Sequence, residues 1–436
     1  MPMRNSILIS ASVALLAIAP AAGGAQSTLA ARVAQAPNGV VHLQFDGRMG
    51  VCGNGRDVVG YRNALFARNF QSIGRWNDTR CVPGPLRITL TVADGQVTQM
   101  QAQVGGAWPP SSAESHVTDL GVVPSREASA FFFSLVPRLE TATGKDRLLL
   151  PAVLADDAEV MAPLLALARN ASRADHTRRQ AIQWLGLLGD ASVIPALVEF
   201  ARTGGDDDSD KKGKKGLGSS AVAALSTLED DVGVPALIDL ARSGSVGTRR
   251  NAVFWLGQNG DPRARRMLHS VIEDTREDSR VRSHAIFSLS QGGDSPVSEY
   301  GYLRTVYSRL DDDELKESVF QGMMQDEGAG GRWLIERARD EKESSKLRRS
   351  ALFWAGQRAA TPTADILSVY RDARDSDLRE HAIFVLSQRQ DDAATDALID
   401  IARKDSDTRM RGKALFWLAQ KHDPRVQKLI ADLVLK

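Results

Sequence analysis

The stretch Val234 to Pro262 decides the fold: VPALIDLAR at residues 234–242 is followed by TRRNAVFWLGQNGDP at residues 248–262. Both segments place apolar residues three and four positions apart, the spacing that lines one face of an α-helix. The breaker Gly260-Asp261-Pro262 ends the second segment, and its proline suits the first turn of a following helix. The stretch therefore predicts two helices joined by a short turn, with another helix restarting after it.

The pattern recurs along most of the chain. Aligning on a small residue followed four positions later by a larger apolar one gives one anchor residue per repeat: Ala181, Ala221, Ala252, Ala285, Val319, Ala351, Ala382 and Ala414. Successive anchors are 31 to 34 residues apart, except for an interval of 40 residues between the first two. A helix pair recurring at this period predicts an α-solenoid.

The longer first interval has a visible cause. Residues 204–216 read GGDDDSDKKGKKG, a charged, glycine-broken insertion that we interpret as a solvated loop. Its acids Asp206, Asp208 and Asp210 are spaced as in a calcium loop, but the glycine and glutamate that such a loop requires are missing.

The recurring segments resemble HEAT repeats, particularly the short form first named from phycobilisome lyases. They include QAIQWLGLLGD at 180–190, HAIFSLSQGGD at 284–294, RSALFWAGQ at 349–357, EHAIFVLSQ at 380–388 and GKALFWLAQKHDP at 412–424. The resemblance covers residues 159–436 and implies a mainly α fold, a right-handed α-α superhelix of about eight repeats. It also implies a protein- or peptide-binding scaffold, since few members of this family are enzymes. We find no match to the catalytic motif of the lyases, so their chromophore chemistry is not expected here.

The first residues predict export. Arg4 precedes the apolar run Ile7–Ala19 and the small residues Ala21–Ala25, which together read as a signal peptide at 1–25. The run is shorter than the roughly 20 residues of a membrane helix, although an uncleaved anchor is the alternative. We expect a periplasmic or extracellular protein without an integral membrane segment. The 55 Lys and Arg nearly balance the 54 Asp and Glu, which disfavours nucleic acid as a partner.

Residues 37–122 carry short alternating runs separated by turn residues. Val40–Phe45, Leu86–Val92 and Gln96–Val104 are predicted strands, and Asp94-Gly95 joins the last two as a hairpin. A weaker pattern indicates a helix at residues 61–73. This region is therefore predicted to be a small β-rich domain.

Cys52 and Cys81 are the two cysteines of the chain. In an oxidising compartment a pair within one small domain favours a disulfide, and a reactive thiol or metal pair is the alternative. Residues 127–158 are predicted to be linking or capping helices before the solenoid at 159–436.

A cation stands three positions before each anchor except the second, where Gly218 breaks the series. This arginine ladder comprises Arg178, Arg249, Arg282, Lys316, Arg348, Arg379 and Arg411. Such a cation at the start of a helix can pair with capping acids of its own or the neighbouring repeat, for example Asp278 or Asp375. We interpret the ladder as structural; binding of a ligand is the alternative.

Two further positions face away from the anchors. We call them the Phe–Gln ribbon: Phe254, Gln258, Phe287, Gln291, Phe353, Gln357, Phe384, Gln388, Phe416 and Gln420, with Gln325 in the fifth repeat and Trp255, Trp354 and Trp417 alongside. Glutamine amides suit a peptide backbone, and rings supply apolar pockets. The ribbon is a candidate partner-binding surface. Packing between repeats is the alternative reading of the same aromatic residues.

The sequence supports no cofactor or metal site. His284 and His381 occupy equivalent positions but three repeats apart, too far for one ion. The alternative functions are an enzyme that uses His42, Asp46, His116 and Asp119 near the β domain, and a self-assembling structural protein of the cell envelope. Against the latter, the predicted last helix, residues 424–436, has a polar face typical of a solenoid cap.

Overall fold

The computed structural model describes residues 27–61, 81–110, 116–141, 148–204, 216–291, 296–421, 423–427 and 429. The chain divides into two compact units, Met1–Ala158 and Glu159–Lys436. The predicted signal peptide, most of the predicted helix at 61–73 and most of the charged loop at 204–216 lie outside the described residues, although Tyr61 ends a strand.

The first unit contains a four-stranded sheet of order β6-β5-β1-β7. Its strands are β1 (Gly39–Phe45), β5 (Leu86–Ala93), β6 (Gln96–Val104) and β7 (Val117–Val122). β5 and β6 form an antiparallel hairpin, whose turn residues Asp94 and Gly95 both have positive φ, and β1 pairs antiparallel with β5 and parallel with β7. The predicted strands and hairpin are present.

One face of this sheet forms the core of the unit. Val41, Leu43 and Phe45 of β1 alternate with polar residues and are fully buried. Helix α2 (Ser125–Leu139) contributes Phe132, whose ring centroid lies 5.9 Å from that of Phe45. Residues that the sequence assigned to linking helices thus belong to the first unit.

A second, three-stranded sheet has the order β3-β2-β4, with β2 (Val51–Gly53), β3 (Val58–Tyr61) and β4 (Val82–Pro83). Cys52 of β2 is joined to Cys81 by a disulfide, as the sequence predicts. Two short helices complete the described part of the unit, α1 (Leu29–Ala34) and α3 (Leu150–Val153). Helix α1, which Thr28 caps and which buries Leu29 and Val33, was not expected from the sequence.

The second unit consists of eight described helix pairs. The first helices are α4 (Met161–Arg169), α6 (Ile194–Thr203), α8 (Val234–Ser243), α10 (Pro262–Glu273), α12 (Pro296–Tyr307), α14 (Gly330–Arg339), α16 (Thr363–Asp372) and α18 (Asp392–Lys404). The second helices are α5 (Asp175–Leu188), α7 (Leu217–Thr227), α9 (Val246–Gly257), α11 (Ser279–Gln291), α13 (Asp313–Gly322), α15 (Ser345–Gln357), α17 (Ser376–Gln388) and α19 (Thr408–Leu418). The predicted solenoid of about eight repeats is confirmed.

The second helices pack against their counterparts in the adjacent repeats. All eight anchor residues lie in this layer and are 0% exposed. A small anchor allows two helix backbones to approach closely, and in seven of the eight repeats a larger apolar residue four positions later fills the remaining space. In the sixth repeat that position is Ala355. The repeated sequence pattern is therefore the pattern of the solenoid core.

Helix boundaries follow the capping residues. Ser245 and Ser344 accept backbone N–H bonds at the starts of α9 and α15, and Asp407 does so for α19. Helix α18 begins at Asp392, because the Asp391 side chain caps the Ala394 amide at 2.9 Å. Within the described residues, no helix is long and apolar enough to cross a membrane.

Candidate partner-binding surface

The second helices hold the Phe–Gln ribbon at the surface. The side chains of Phe254, Phe287, Phe353 and Phe384 are half-buried, and Phe416 is 59% exposed. Gln258, Gln291, Gln325, Gln357, Gln388 and Gln420 are all exposed. Since neighbouring anchors are completely buried, the helices turn the anchors inward and the ribbon outward.

Aromatic contacts fix the rings of the ribbon. Phe254, Phe353 and Phe416 each meet the tryptophan that follows them in an edge-to-face arrangement, with ring centroids 5.2 to 5.3 Å apart. Between repeats, Phe384 lies 5.4 Å from Trp417. Phe384 therefore contributes to packing between repeats, and the ribbon rings also retain accessible surface.

The fifth repeat interrupts the ribbon. Gln321 occupies the phenylalanine position and is exposed, while Phe320, one residue earlier, is completely buried. There it packs with Tyr307 and Trp333, at centroid distances of 5.4 and 5.8 Å. A shift of one residue along a helix turns a side chain by about 100°, which is enough to move this ring from the surface to the core.

Two neighbouring pockets lie at the C-terminal end of the described ribbon. The first has a volume of about 330 Å³; we call it the C-terminal groove, and it is lined by Arg349, Asp377, Glu380, His381, Phe384, Arg409, Lys413, Phe416 and Trp417. The second has a volume of about 470 Å³ and includes Gln388 and Gln420. Trp417 contributes to both. An extended ligand could contact both pockets across this indole ring.

His381 contributes little charge to the C-terminal groove. Burial, followed by the nearby positive charge of Arg349, lowers the pKa of this imidazole. The ring is therefore neutral near pH 7. Its equivalent, His284, lies on α11, and no group of three or more metal-ligating side chains occurs among the described residues.

The arginine ladder makes contacts within the solenoid. Arg178, Arg282 and Arg348 donate to the carbonyl ten residues earlier, near the end of the first helix of the same repeat. Others pair with an acid of the next repeat: Arg249 with Glu277 at 2.8 Å, Lys316 with Glu343 at 3.5 Å, and Arg379 with Asp405 at 2.7 Å. Arg411 donates to the Asp405 carbonyl at 2.8 Å. The ladder side chains thus cap helix ends and join neighbouring repeats.

A second row of cations was not expected from the sequence. Arg358, Arg389 and Lys421 each follow a ribbon glutamine, and each donates to backbone carbonyls at the end of the preceding repeat's second helix. Arg358 reaches the Met323 and Asp326 carbonyls at 2.9 and 2.6 Å. The positive charge offsets the partial negative charge of a helix C terminus. We call these residues the C-cap row; its only cue was the repeated Gln-Arg or Gln-Lys dipeptide.

The four acid–base residues considered for an enzyme are distributed along β1 and β7. His42 lies opposite Asp119, and its Nε2 atom has no hydrogen-bond partner among the described residues. Burial lowers the pKa of His42, and the Asp119 charge partly opposes this. His116 adjoins the start of β1 and Asp46 follows its end, so the length of the strand, roughly 20 Å, separates these two. They do not converge at one point.

The fold and the repeated core define an α-solenoid of helix pairs. Residues 218–323 match the family of HEAT repeats, and residues 177–203 match the PBS lyase HEAT-like repeat. The chain is a HEAT-repeat protein, as its recurring segments predict. No curated protein sequence matches the chain.

Several solved structures are similar to the chain at low identity. The complex of CpcE and CpcF of phycocyanin lyase from Nostoc sp. PCC7120 is 18% identical, with 55% of this chain and 92% of that chain covered and a TM-score of 0.27. Human deoxyhypusine hydroxylase is also 18% identical, with 62% and 88% covered and a TM-score of 0.21. Importin beta is 12% identical, with 68% and 44% covered and a TM-score of 0.30.

Proposed function

We propose that this protein is an extracytoplasmic scaffold that binds a protein or an extended peptide along the concave surface of its HEAT-repeat solenoid. One observation carries the proposal: the ribbon rings keep accessible surface, beside exposed glutamines, in a layer whose anchors are completely buried. A structural role alone explains buried aromatics, but it does not require accessible ones at the same helical position of five repeats.

The amide side chains suit such a ligand. A glutamine can donate one hydrogen bond to a peptide carbonyl and accept another from a peptide N–H, so a row of them satisfies a backbone irrespective of its side chains. The adjacent rings then select apolar side chains, because aromatic residues are frequent anchors in protein interfaces. The repeat period sets the spacing of these contacts.

Export is part of the proposal. It is supported by the leader pattern at residues 1–25 and by the Cys52–Cys81 disulfide, since disulfides persist in oxidising compartments. The test is to express the full chain in its own cell type and determine the N terminus of the recovered protein. Cleavage after Ala25 and recovery from the envelope or medium are expected; an intact cytoplasmic chain contradicts export.

Binding is tested by affinity capture from the cell-envelope fraction. The ribbon variant Phe287→Ala/Phe353→Ala/Gln357→Ala leaves the C-terminal groove unchanged. The control, Arg371→Ala/Asp400→Ala/Lys404→Ala, changes three exposed residues on first helices. Both variants are compared with the wild type by circular dichroism and thermal melting. A partner that the control retains and the ribbon variant loses supports the proposal; equal capture by both contradicts it.

A further inference from the structure

The charges of the second helices alternate from repeat to repeat at the C-terminal end of the solenoid. Apart from the arginine ladder, α13 carries Glu314 and Glu317, α15 carries Lys346 and Arg349, α17 carries Asp377 and Glu380, and α19 carries Arg409 and Lys413. Opposite charges on adjacent helices form ion pairs: Lys346 with Glu317 at 3.3 Å, Arg349 with Asp377 at 3.8 Å, and Arg409 with Glu380 at 2.7 Å. Each pair joins one repeat to the next, from the fifth repeat to the eighth.

The two cationic repeats differ in their surroundings. In α15, Lys346 pairs with an acid of the preceding repeat and Arg349 with an acid of the following one. In α19, both Arg409 and Lys413 pair with the same carboxylate, Glu380, at 2.7 and 2.5 Å. One carboxylate balances one of these two positive charges. Among the described residues that line the C-terminal groove, three cations therefore face two acids.

The same groove exposes an aromatic surface. Phe416 is 59% exposed, more than any other phenylalanine among the described residues, and it adjoins the half-buried Phe384 and Trp417. Arg409 and Lys413 keep 57% and 43% of their side-chain surface exposed. An accessible ring cluster thus lies next to accessible, incompletely balanced positive charge.

We propose that the C-terminal groove binds an acidic peptide segment of a partner protein, with a large apolar side chain of that segment against Phe384, Phe416 and Trp417 and an adjacent Asp or Glu on Arg409 and Lys413. The carboxylate of the ligand supplies the second negative charge that α19 lacks, as Glu317 and Asp377 do for α15. A lysine beside the apolar residue would instead add a positive charge to an already positive site. This inference rests on the proposed function and specifies the ligand of one part of the ribbon.

The test is selection from a random peptide library displayed on phage, using the mature protein as bait. The chosen peptides are then synthesised, and their affinities are measured by fluorescence anisotropy at low and high salt. We expect enrichment of Asp or Glu beside an aromatic or large aliphatic residue, and weaker binding at high salt because exposed charges are screened. A peptide with Lys in place of its acid should bind at least about fivefold more weakly.

Variants locate the binding site. Phe416→Ser should weaken the selected peptide about thirtyfold, as expected for loss of an aromatic anchor. Lys413→Glu should weaken it at least about fivefold and remove the preference for acids. Lys404→Glu is the matched control, since it makes the same charge change at an exposed residue of a first helix, and it should bind like the wild type. Folding of each variant is checked by circular dichroism.

The outcomes separate this inference from the proposed function. Peptides without acid enrichment, an empty selection, or binding unaffected by Phe416→Ser and Lys413→Glu overturn the groove proposal. If binding is instead lost only in the Phe287→Ala/Phe353→Ala/Gln357→Ala variant, the ribbon binds peptide elsewhere and the proposed function stands. If light scattering shows that the same surface joins two copies of this chain, the occupant is the chain itself and the groove proposal is wrong.

Discussion

Gly356 of α15 lies directly against Val385 of α17, so that a Cβ atom built on the glycine would fall well inside van der Waals distance of Val385 Cγ1. Val385 is 1% exposed, so its side chain is enclosed by its neighbours. The same relationship recurs in an earlier repeat, where Gly257 of α9 lies against Ser288 of α11. Contacts of this kind set how closely adjacent repeats stack.

Gly356→Ala should therefore lower the free energy of unfolding by about 1–3 kcal/mol through overpacking, despite the better helix propensity of alanine. Adding Val385→Ala to this variant relieves the clash, so the double variant should lose less stability than the two single variants predict together. Urea denaturation measures all three. Simple additivity would show that the two residues are not in contact.

Asp405 joins two repeats through a small hydrogen-bond network. Its carboxylate accepts from Tyr370 at 2.5 Å and from Arg379 at 2.7 Å, and both charged side chains are mostly buried. Asp405→Asn should cost about 2 kcal/mol, because Arg379 loses the nearer of its two charged partners and keeps only Asp407 at 3.9 Å. Asp400→Asn is the control: its pair with Lys404 is exposed, so a loss below about 0.5 kcal/mol is expected in the same denaturation assay.

The C-cap row gives a third prediction. Arg358 is 6% exposed and donates to three backbone carbonyls of the preceding repeat. Arg358→Met keeps most of the side-chain volume but removes the charged donor from these carbonyls, of which those of Met323 and Asp326 also accept a backbone N–H. A loss of about 2 kcal/mol is expected. Arg371→Met, at an exposed position, should leave the melting temperature unchanged. Equal effects of the two substitutions would falsify a capping role.

The Glu380 carboxyl should make the stability of the fold depend on pH. The hydrogen bond from Lys413, opposed by burial and assisted by Arg409, lowers the pKa of this carboxyl below its ordinary 4.5. A lowered carboxyl pKa stabilises the fold above about pH 4.5, and this contribution is lost as the pH falls through the folded-state pKa. Lys413→Met should thus be less stable than the wild type at pH 7, by under about 1 kcal/mol because the pair is partly exposed. The difference should shrink as the pH falls below 4.5 and Glu380 becomes protonated, as measured in parallel denaturation curves.

The disulfide should stabilise the first unit and leave the second unaffected. Cys52 and Cys81 are 29 residues apart, and by the loop-entropy estimate the crosslink contributes about 3–4 kcal/mol. The double substitution Cys52→Ser/Cys81→Ser should destabilise the first unit by this amount. Limited proteolysis should then cut residues 27–158 earlier while the helical signal of the second unit persists. Unchanged protease resistance of the first unit contradicts the prediction.

The sequence predicts the core of the solenoid well because burial there follows the helical period: Ala351 and Ala382 are recognisable from their own helices alone. It does not reveal the C-cap row, because Arg358 and Arg389 bind backbone carbonyls of another repeat, and a carbonyl has no residue type to recognise. The Tyr370–Asp405 contact was missed because its partners lie 35 residues apart in different repeats. In the fifth repeat, the buried Phe320 shows that a regular surface row can be interrupted where its aromatic residue stands one position earlier on the helix.

The C-cap row also makes the order in which the repeats unfold depend on their direction along the chain. Each of its cations donates to carbonyls at the helix end of the repeat before it, so every repeat from the fifth to the seventh receives hydrogen bonds there from its successor. Loss of the eighth repeat would remove Lys421 and uncap α17, whereas loss of an earlier repeat removes no cap from the repeats that follow. Local unfolding should therefore begin at the C-terminal repeat and proceed toward the N-terminal repeats. Amide hydrogen exchange should be fastest in the eighth repeat and slower in each preceding one.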